Sequence, residues 1–200
     1  MDKKSFFEPP YDSPIEEQFA WHFTKYVHPD IELLTQYEIP TNHGTFKLDF
    51  AIQVNNKIIG IECDGKEFHN IWRDVWRDIA VIENSIVSEV FRFRGCDITY
   101  HINECLIVLS WYYPDLFDSR GIENINRLAD KEVLNEDFYK ERNMSLIEFA
   151  YKGFDEEFNT LIVWRINERY YNNKNIARQL KADPSLTIDQ LYEKHKINLI

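Results

Sequence analysis

The chain predicts an α/β (α+β) fold, a central mixed four-stranded sheet flanked by helices, and three observations carry that expectation. A capped helix opens at Ser13, three strand-like segments follow between residues 31 and 64, and a helical stretch then leads to a further strand at 89–95. The order helix, three strands, helix, strand, helix suits a sheet with helices laid against it.

The first helix is announced by Ser13-Pro14-Ile15-Glu16. Serine is a preferred N-cap, proline suits the first turn, and a glutamate three residues after the cap completes a capping box. Ile15, Phe19, Phe23 and Val27 then recur at helical spacing. The segments "IELLTQYEI" (31–39), "FKLDFAIQV" (46–54) and "KIIGIECD" (57–64) read as strands, and in the second Phe46, Leu48, Phe50, Ile52 and Val54 alternate with polar or small residues. An Asn55-Asn56 turn joins the second and third. A helix follows from about Trp72 to Val87, then the strand "EVFRFRG" (89–95), then a helix from about Asp97 to Tyr112.

Two parts are expected, residues 1–118 and a helical extension over 119–200. In the extension "DEEFNTLIVWRINERYY" and "NIARQLKADPSLTIDQLYEKHKI" read as amphipathic helices, the latter broken at Asp183-Pro184 and restarted after a Ser or Thr cap. Arg178 and Lys181 allow a helix-turn-helix-like DNA reader. The competing reading is a helical brace or a protein-docking surface.

The 200 residues, 44% apolar and 15% aromatic, can bury a sizeable core as one domain or one domain with an appendage. The formal charge is −11 and is unevenly placed: residues 1–118 hold 10 Lys and Arg against 20 Asp and Glu, residues 119–200 hold 13 against 14. Binding of nucleic acid by charge alone is excluded for so acidic a first part, unless bound cations change the local sign. The opening residues lack a signal-peptide apolar run and no stretch approaches the ~20 apolar residues of a membrane span, so a cytoplasmic protein with no membrane partner is expected. Cys63, Cys96 and Cys105 show no zinc-ligand array and suit a reducing compartment.

The chemistry is sought in "IGIECDGKEFH" (59–69). If the hairpin closes at Asn55-Asn56, opposed residues have numbers that sum to 111, so Asp49 faces Glu62 and Lys47 faces Asp64. Period-2 alternation then puts Lys47, Asp49, Glu62 and Asp64 on one face and Leu48, Phe50, Ile61 and Cys63 on the other. Opposed carboxylates need a cation or a shared proton, and Mg²⁺ or Mn²⁺ suits an all-oxygen set. Solvated acids on a sheet face are the plainer alternative, as a helix cap is for Glu16, a solvated first-turn acid for Glu17 and a surface histidine for His69.

Glu16 in "SPIEEQF", Asp49 in "KLDFAI", Glu62 and Asp64 in "IGIECDGKEFH", and the continuation "WRDVWRDIAVIENSIVSEVFRFRGCDI" resemble the PD-(D/E)XK nuclease superfamily. Within it they are most similar to the very-short-patch-repair-type endonucleases and related restriction-endonuclease-like domains. The resemblance covers roughly residues 13–110. It implies a restriction-endonuclease-like fold and a Mg²⁺- or Mn²⁺-dependent nuclease in which Asp49 is the central metal ligand and Glu62 the second acid. Glu16 corresponds to the helix glutamate that reaches the metal directly or through water, with Glu17 a lesser candidate. Asp64 stands where many members have lysine, and Lys47 and Lys66 are the nearby replacements for that cation. His69, at the motif's histidine position, would orient or protonate a phosphate oxygen or leaving group.

Arg73 and Arg77, four apart on the next helix, either meet phosphates or form salt-bridge ladders with the aspartates that follow them. Arg92 and Arg94 share one strand face, opposite Phe91 and Phe93, as backbone contacts or as partners of the acids. Two function classes follow: a metal-dependent endonuclease acting on DNA in defence, repair or mobile-element processing, and a nuclease-like fold without catalysis that binds nucleic acid or protein. The partners expected are DNA, a protein at the C-terminal helices, and a second copy in a homodimer.

Overall fold

The computed structural model describes residues 11–65, 70–85, 87–130, 146–150, 160–167 and 171–195. Six strands, β1 (Leu33–Thr41), β2 (Gly44–Val54), β3 (Lys57–Asp64), β4 (Val87–Arg94), β5 (Leu146–Ala150) and β6 (Thr160–Ile166), form one sheet in the order β1-β2-β3-β4-β6-β5. Among the described residues only β3 and β4 pair in parallel. The α/β class and the mixed sheet flanked by helices are as expected, but among the described residues the sheet has six strands, not four.

The two additional strands lie in the stretch expected to be helical. "TLIVWRI" is a strand because β-branched and aromatic residues fit a pleated surface buried on both sides, and its successive residues serve opposite faces. Leu161 and Val163 join one core while Trp164 and Ile166 pack in the other. β6 pairs with β4, placing Arg165 beside Phe91 and Trp164 beside Arg92, so residues beyond 118 continue the sheet of the first part.

One face of the sheet is covered by α1 (Pro14–Tyr26), α3 (Gly95–Tyr100), α4 (Ile102–Tyr112) and α5 (Ser119–Leu128), around Phe19, Phe23, Phe50, Ile61, Phe93 and Leu106. The other is covered by α2 (Ile71–Asn84), α6 (Tyr171–Ala182) and α7 (Ile188–His195). Both C-terminal helices pack on α2, through Ile176, Leu180 and Leu191 among others. The restart of α7 is a reciprocal cap: Thr187 Oγ1 accepts from the Gln190 N–H and the Thr187 N–H donates to Gln190 Oε1.

The alternation in β2 is clean in sequence and broken in space. Phe50 and Ile52 enter the core under α1, but Leu48 lies in the core under α2 with Phe46 beside it. β1 switches at the same level, with Leu33 under α1 and Ile39 under α2. The switch falls where the β1–β2 pairing skips from Thr35–Phe50 to Tyr37–Leu48, passing over Gln36 and Asp49. Gln36 has φ 50, a left-handed residue inside a strand, and such a residue turns the pleat over. Leu48 therefore does not share a face with Phe50, Ile61 and Cys63, contrary to the period-2 expectation.

Candidate metal and active site

The acids gather where β2 and β3 part. Their pairing follows the expected sum of 111 from Val54–Lys57 to Phe50–Ile61 and stops there. Beyond that point the Cys63 N–H donates to Asp49 Oδ2 at 2.7 Å, so a side-chain carboxylate takes the place of a backbone acceptor. Asp49 thus lies at the mouth of the opening between the strands. Burial pushes its carboxyl up to about 6, opposed by the Cys63 hydrogen bond and reinforced by Glu16 and Asp64.

Glu62 follows on β3, on the face covered by α2, and is only 4% exposed. Burial raises its carboxyl to about 8 against the pull of Arg77 and Arg92, with Asp49 and Asp78 adding to the rise. Arg77 Nη2 stands 2.9 Å from Glu62 Oε1, an ion-pair distance. Its N–H groups are not directed at that oxygen, which is buried without a hydrogen bond among the described residues.

Glu16, in the first turn of α1, is also 4% exposed, whereas Glu17 is in solvent. Ser13 Oγ accepts from the Glu16 N–H as the cap, and its hydroxyl donates to Glu16 Oε1 at 2.7 Å. Glu16 Oε2 accepts from the Asp12 N–H (3.1 Å) and from Gln36 Nε2 (2.7 Å). The cap expected from sequence is present, and its glutamate also reaches across to β1.

Asp64 is tied down from the opposite side. The side chain of Arg92, fully enclosed, donates from Nη1 to Asp64 Oδ1 (2.6 Å), from Nε to Asp78 Oδ2 (2.6 Å) and from Nη2 to Asp78 Oδ1 (3.1 Å). Asp74 Oδ2 stands 4.0 Å from Arg92 Nη1. Arg92 therefore takes the second of its two expected roles, partner of the acids. Arg77 lies between Glu62 and Asp78, while Arg73 pairs with Asp189 on α7 and Arg94 is held by both oxygens of Asp97.

Lys47 does not oppose Asp64, because the β2–β3 ladder has ended. Its Nζ donates to Asp12 at 2.5 Å near the start of α1. Lys66 and His69 lie outside the described residues.

Among the described residues no three His, Cys, Asp or Glu side chains converge closely enough to hold a metal ion. In chemistry the donor set does fit a hard divalent cation: its oxygens are carboxylates, Glu16 and Asp64 raise the proton affinity of Asp49, Asp49 raises that of Glu62, and buried Glu62 Oε1 faces Arg77 at 2.9 Å with no hydrogen bond among the described residues. Asp49 and Glu62 would be its direct ligands, with Glu16 and Asp64 at the margin.

Sequence reasoning reached Asp74 and Asp78 only as salt-bridge-ladder partners of the arginines before them, and it did not reach Gln36. Asp74 and Asp78 are internal counterions, and the only signal was their spacing of four in "RDVWRD", a face buried by the sheet rather than solvated. Gln36 left no signal beyond a polar residue amid "LLTQY". Comparison of the chain with family models, curated proteins and solved structures gives no match.

Proposed function

We propose that this chain is a metal-dependent endonuclease that hydrolyses phosphodiester bonds in DNA, using Mg²⁺ or Mn²⁺, in defence, repair or mobile-element processing in the cytoplasm. The observation that carries this reading is the pair of half-buried Asp49 and buried Glu62, acids on adjacent strands whose carboxyls are both pushed up at the point where those strands part. Carboxyls raised in this way would regain their charge on meeting a cation, and this favours a metal here.

When bound, the metal would supply an activated water and relief of charge on the phosphate. The protein's contribution is positional. The Cys63 N–H fixes Asp49, Arg77 stands against Glu62, and Ser13, Asp12 and Gln36 hold Glu16. His69 is proposed to place a proton on the leaving oxygen, and Lys47 and Lys66 to meet the phosphate backbone.

A second reading, a noncatalytic nuclease-fold subunit, is favoured by one observation: Arg77 and Arg92 already stand within the acid set, and Asp64, in the place where lysine is common, is bound to Arg92. A cleavage panel separates the two, with plasmid, linear duplex, single-stranded DNA and RNA, each with Mg²⁺, Mn²⁺ or EDTA. Metal-dependent DNA cleavage lost in both Asp49→Asn and Glu62→Gln supports the endonuclease. Binding without cleavage supports the subunit.

A further inference from the structure

We infer that Gln36 is the positioning residue for Glu16, presented by a left-handed backbone conformation that exists within β1 for that purpose. The inference deepens the proposed function and rests on it for the role given to Glu16.

Among the described residues that are not glycine, two have positive φ, Asn55 and Gln36. Asn55 sits in the hairpin turn, where asparagine and that conformation are both common. Gln36 sits inside a nine-residue strand, where neither is. Glutamine carries a Cβ that opposes this conformation and gains nothing locally from it, so the position is set by what the side chain reaches.

It reaches Glu16. Gln36 Nε2 donates to Glu16 Oε2 at 2.7 Å, joining β1 to the first turn of α1. The helix end needs no such donor, because Ser13 already caps it and the Asp12 N–H already meets the same oxygen. The other amide atom, Gln36 Oε1, is buried with no hydrogen-bond partner among the described residues, an unfavourable state that an apolar residue would avoid.

Three donors now constrain one carboxylate: Oε2 receives two, and Oε1 receives the Ser13 hydroxyl. A carboxylate oxygen can accept twice, so Oε1 keeps a free acceptor direction. Gln36 and Asp49 are the residues passed over in the β1–β2 pairing, and the charge of Glu16 reaches Asp49. The same backbone irregularity therefore sets the Asp49 side chain and clamps its neighbouring acid.

Gln36→Gly and Gln36→Asn test this, since both residues accept positive φ and neither reaches Glu16. The thermal midpoint is expected to hold or rise in Gln36→Gly. Mn²⁺ affinity by calorimetry should fall roughly tenfold in both variants, and kcat should fall with KM for DNA unchanged. The Glu16 side-chain carboxyl ¹³C resonance, assigned with Glu16→Gln, reports the clamp without metal and should shift in both variants. An unmoved resonance overturns the inference whatever the metal data show, as does parental Mn²⁺ affinity with parental kcat. A parent that neither binds Mn²⁺ nor cleaves, with the resonance still shifting, removes the proposed function and leaves the clamp.

Discussion

The Cys63 N–H and the Asp49 carboxylate form a 2.7 Å hydrogen bond across the gap where β2 and β3 cease to pair. Asp49 therefore has a structural duty as well as a charge, and the two can be separated. Asparagine keeps a carbonyl for Cys63, whereas alanine leaves a buried N–H unmet.

Near neutrality Asp49→Asn should melt above the parent, because the amide carries no charge to bury, while Asp49→Ala should fall about 1–3 kcal/mol below Asp49→Asn. Both should lose Mn²⁺ binding in calorimetry, because each removes an anionic ligand. Equal stability in the two variants would show that the Cys63 bond contributes nothing.

The raised carboxyls predict a pH dependence with a definite sign. In the metal-free fold Asp49 moves from its ordinary 3.8 to about 6 and Glu62 from 4.5 to about 8, so each keeps its proton to higher pH than in the unfolded chain. Their contribution is full below those ordinary values and is lost as pH rises, ending near 6 for Asp49 and near 8 for Glu62. The loss runs at up to about 1.4 kcal/mol per pH unit per group. Thermal melts in EDTA should show the parent falling towards Glu62→Gln at low pH and below it near neutrality. Parallel curves for parent and variant would remove the shift assigned to Glu62.

Glu16→Gln should cost about 1 kcal/mol at most, since Ser13 can turn its hydroxyl to accept from the new amide while the amide oxygen still meets Asp12 and Gln36. Metal-dependent cleavage should fall sharply. Glu17→Gln, at an exposed position, should change neither. Parental cleavage by Glu16→Gln would leave Glu16 as a helix cap only.

Arg92→Met removes the closer partner of Asp78, which is 0% exposed, leaving it Arg77 at 3.4 Å, and should cost about 3–5 kcal/mol. Adding Asp78→Asn should restore part of that loss. If the double variant is as unstable as the sum of the singles, Arg92 acts through its packing and not through its charge.

Sequence was informative where structure is local. The Ser13 cap, the Asn55-Asn56 hairpin with its sum of 111, and the break after Ala182 with a Thr187 cap are all set by residues within a few positions of one another. It failed where one strand depends on another. Leu48 changes face because Gln36, on the neighbouring strand, is left-handed, and nothing in "FKLDFAIQV" records that. β6 reads as helix in sequence because its partner β4 lies some seventy residues earlier, pairing Val90 with Ile166. Arg77 and Arg92 looked available to phosphate because their acids come from α2 and β3, and only the packing of α2 on the sheet encloses them.

That distant pairing has a consequence for how the chain is made. β4 is the fourth strand in order of synthesis, yet its second neighbour is not complete until Ile166 has emerged. Until then "VSEVFRFR" presents an open row of backbone donors and acceptors, with Glu89 still lacking Arg165. The nascent protein thus carries a bare, largely apolar strand edge while residues 95–166 are made, and this interval is its period of greatest exposure to misassociation. Closure by β6 ends that interval and, in the same step, brings Trp164 alongside Arg92, so the electrostatic centre is sealed only when the late strand docks.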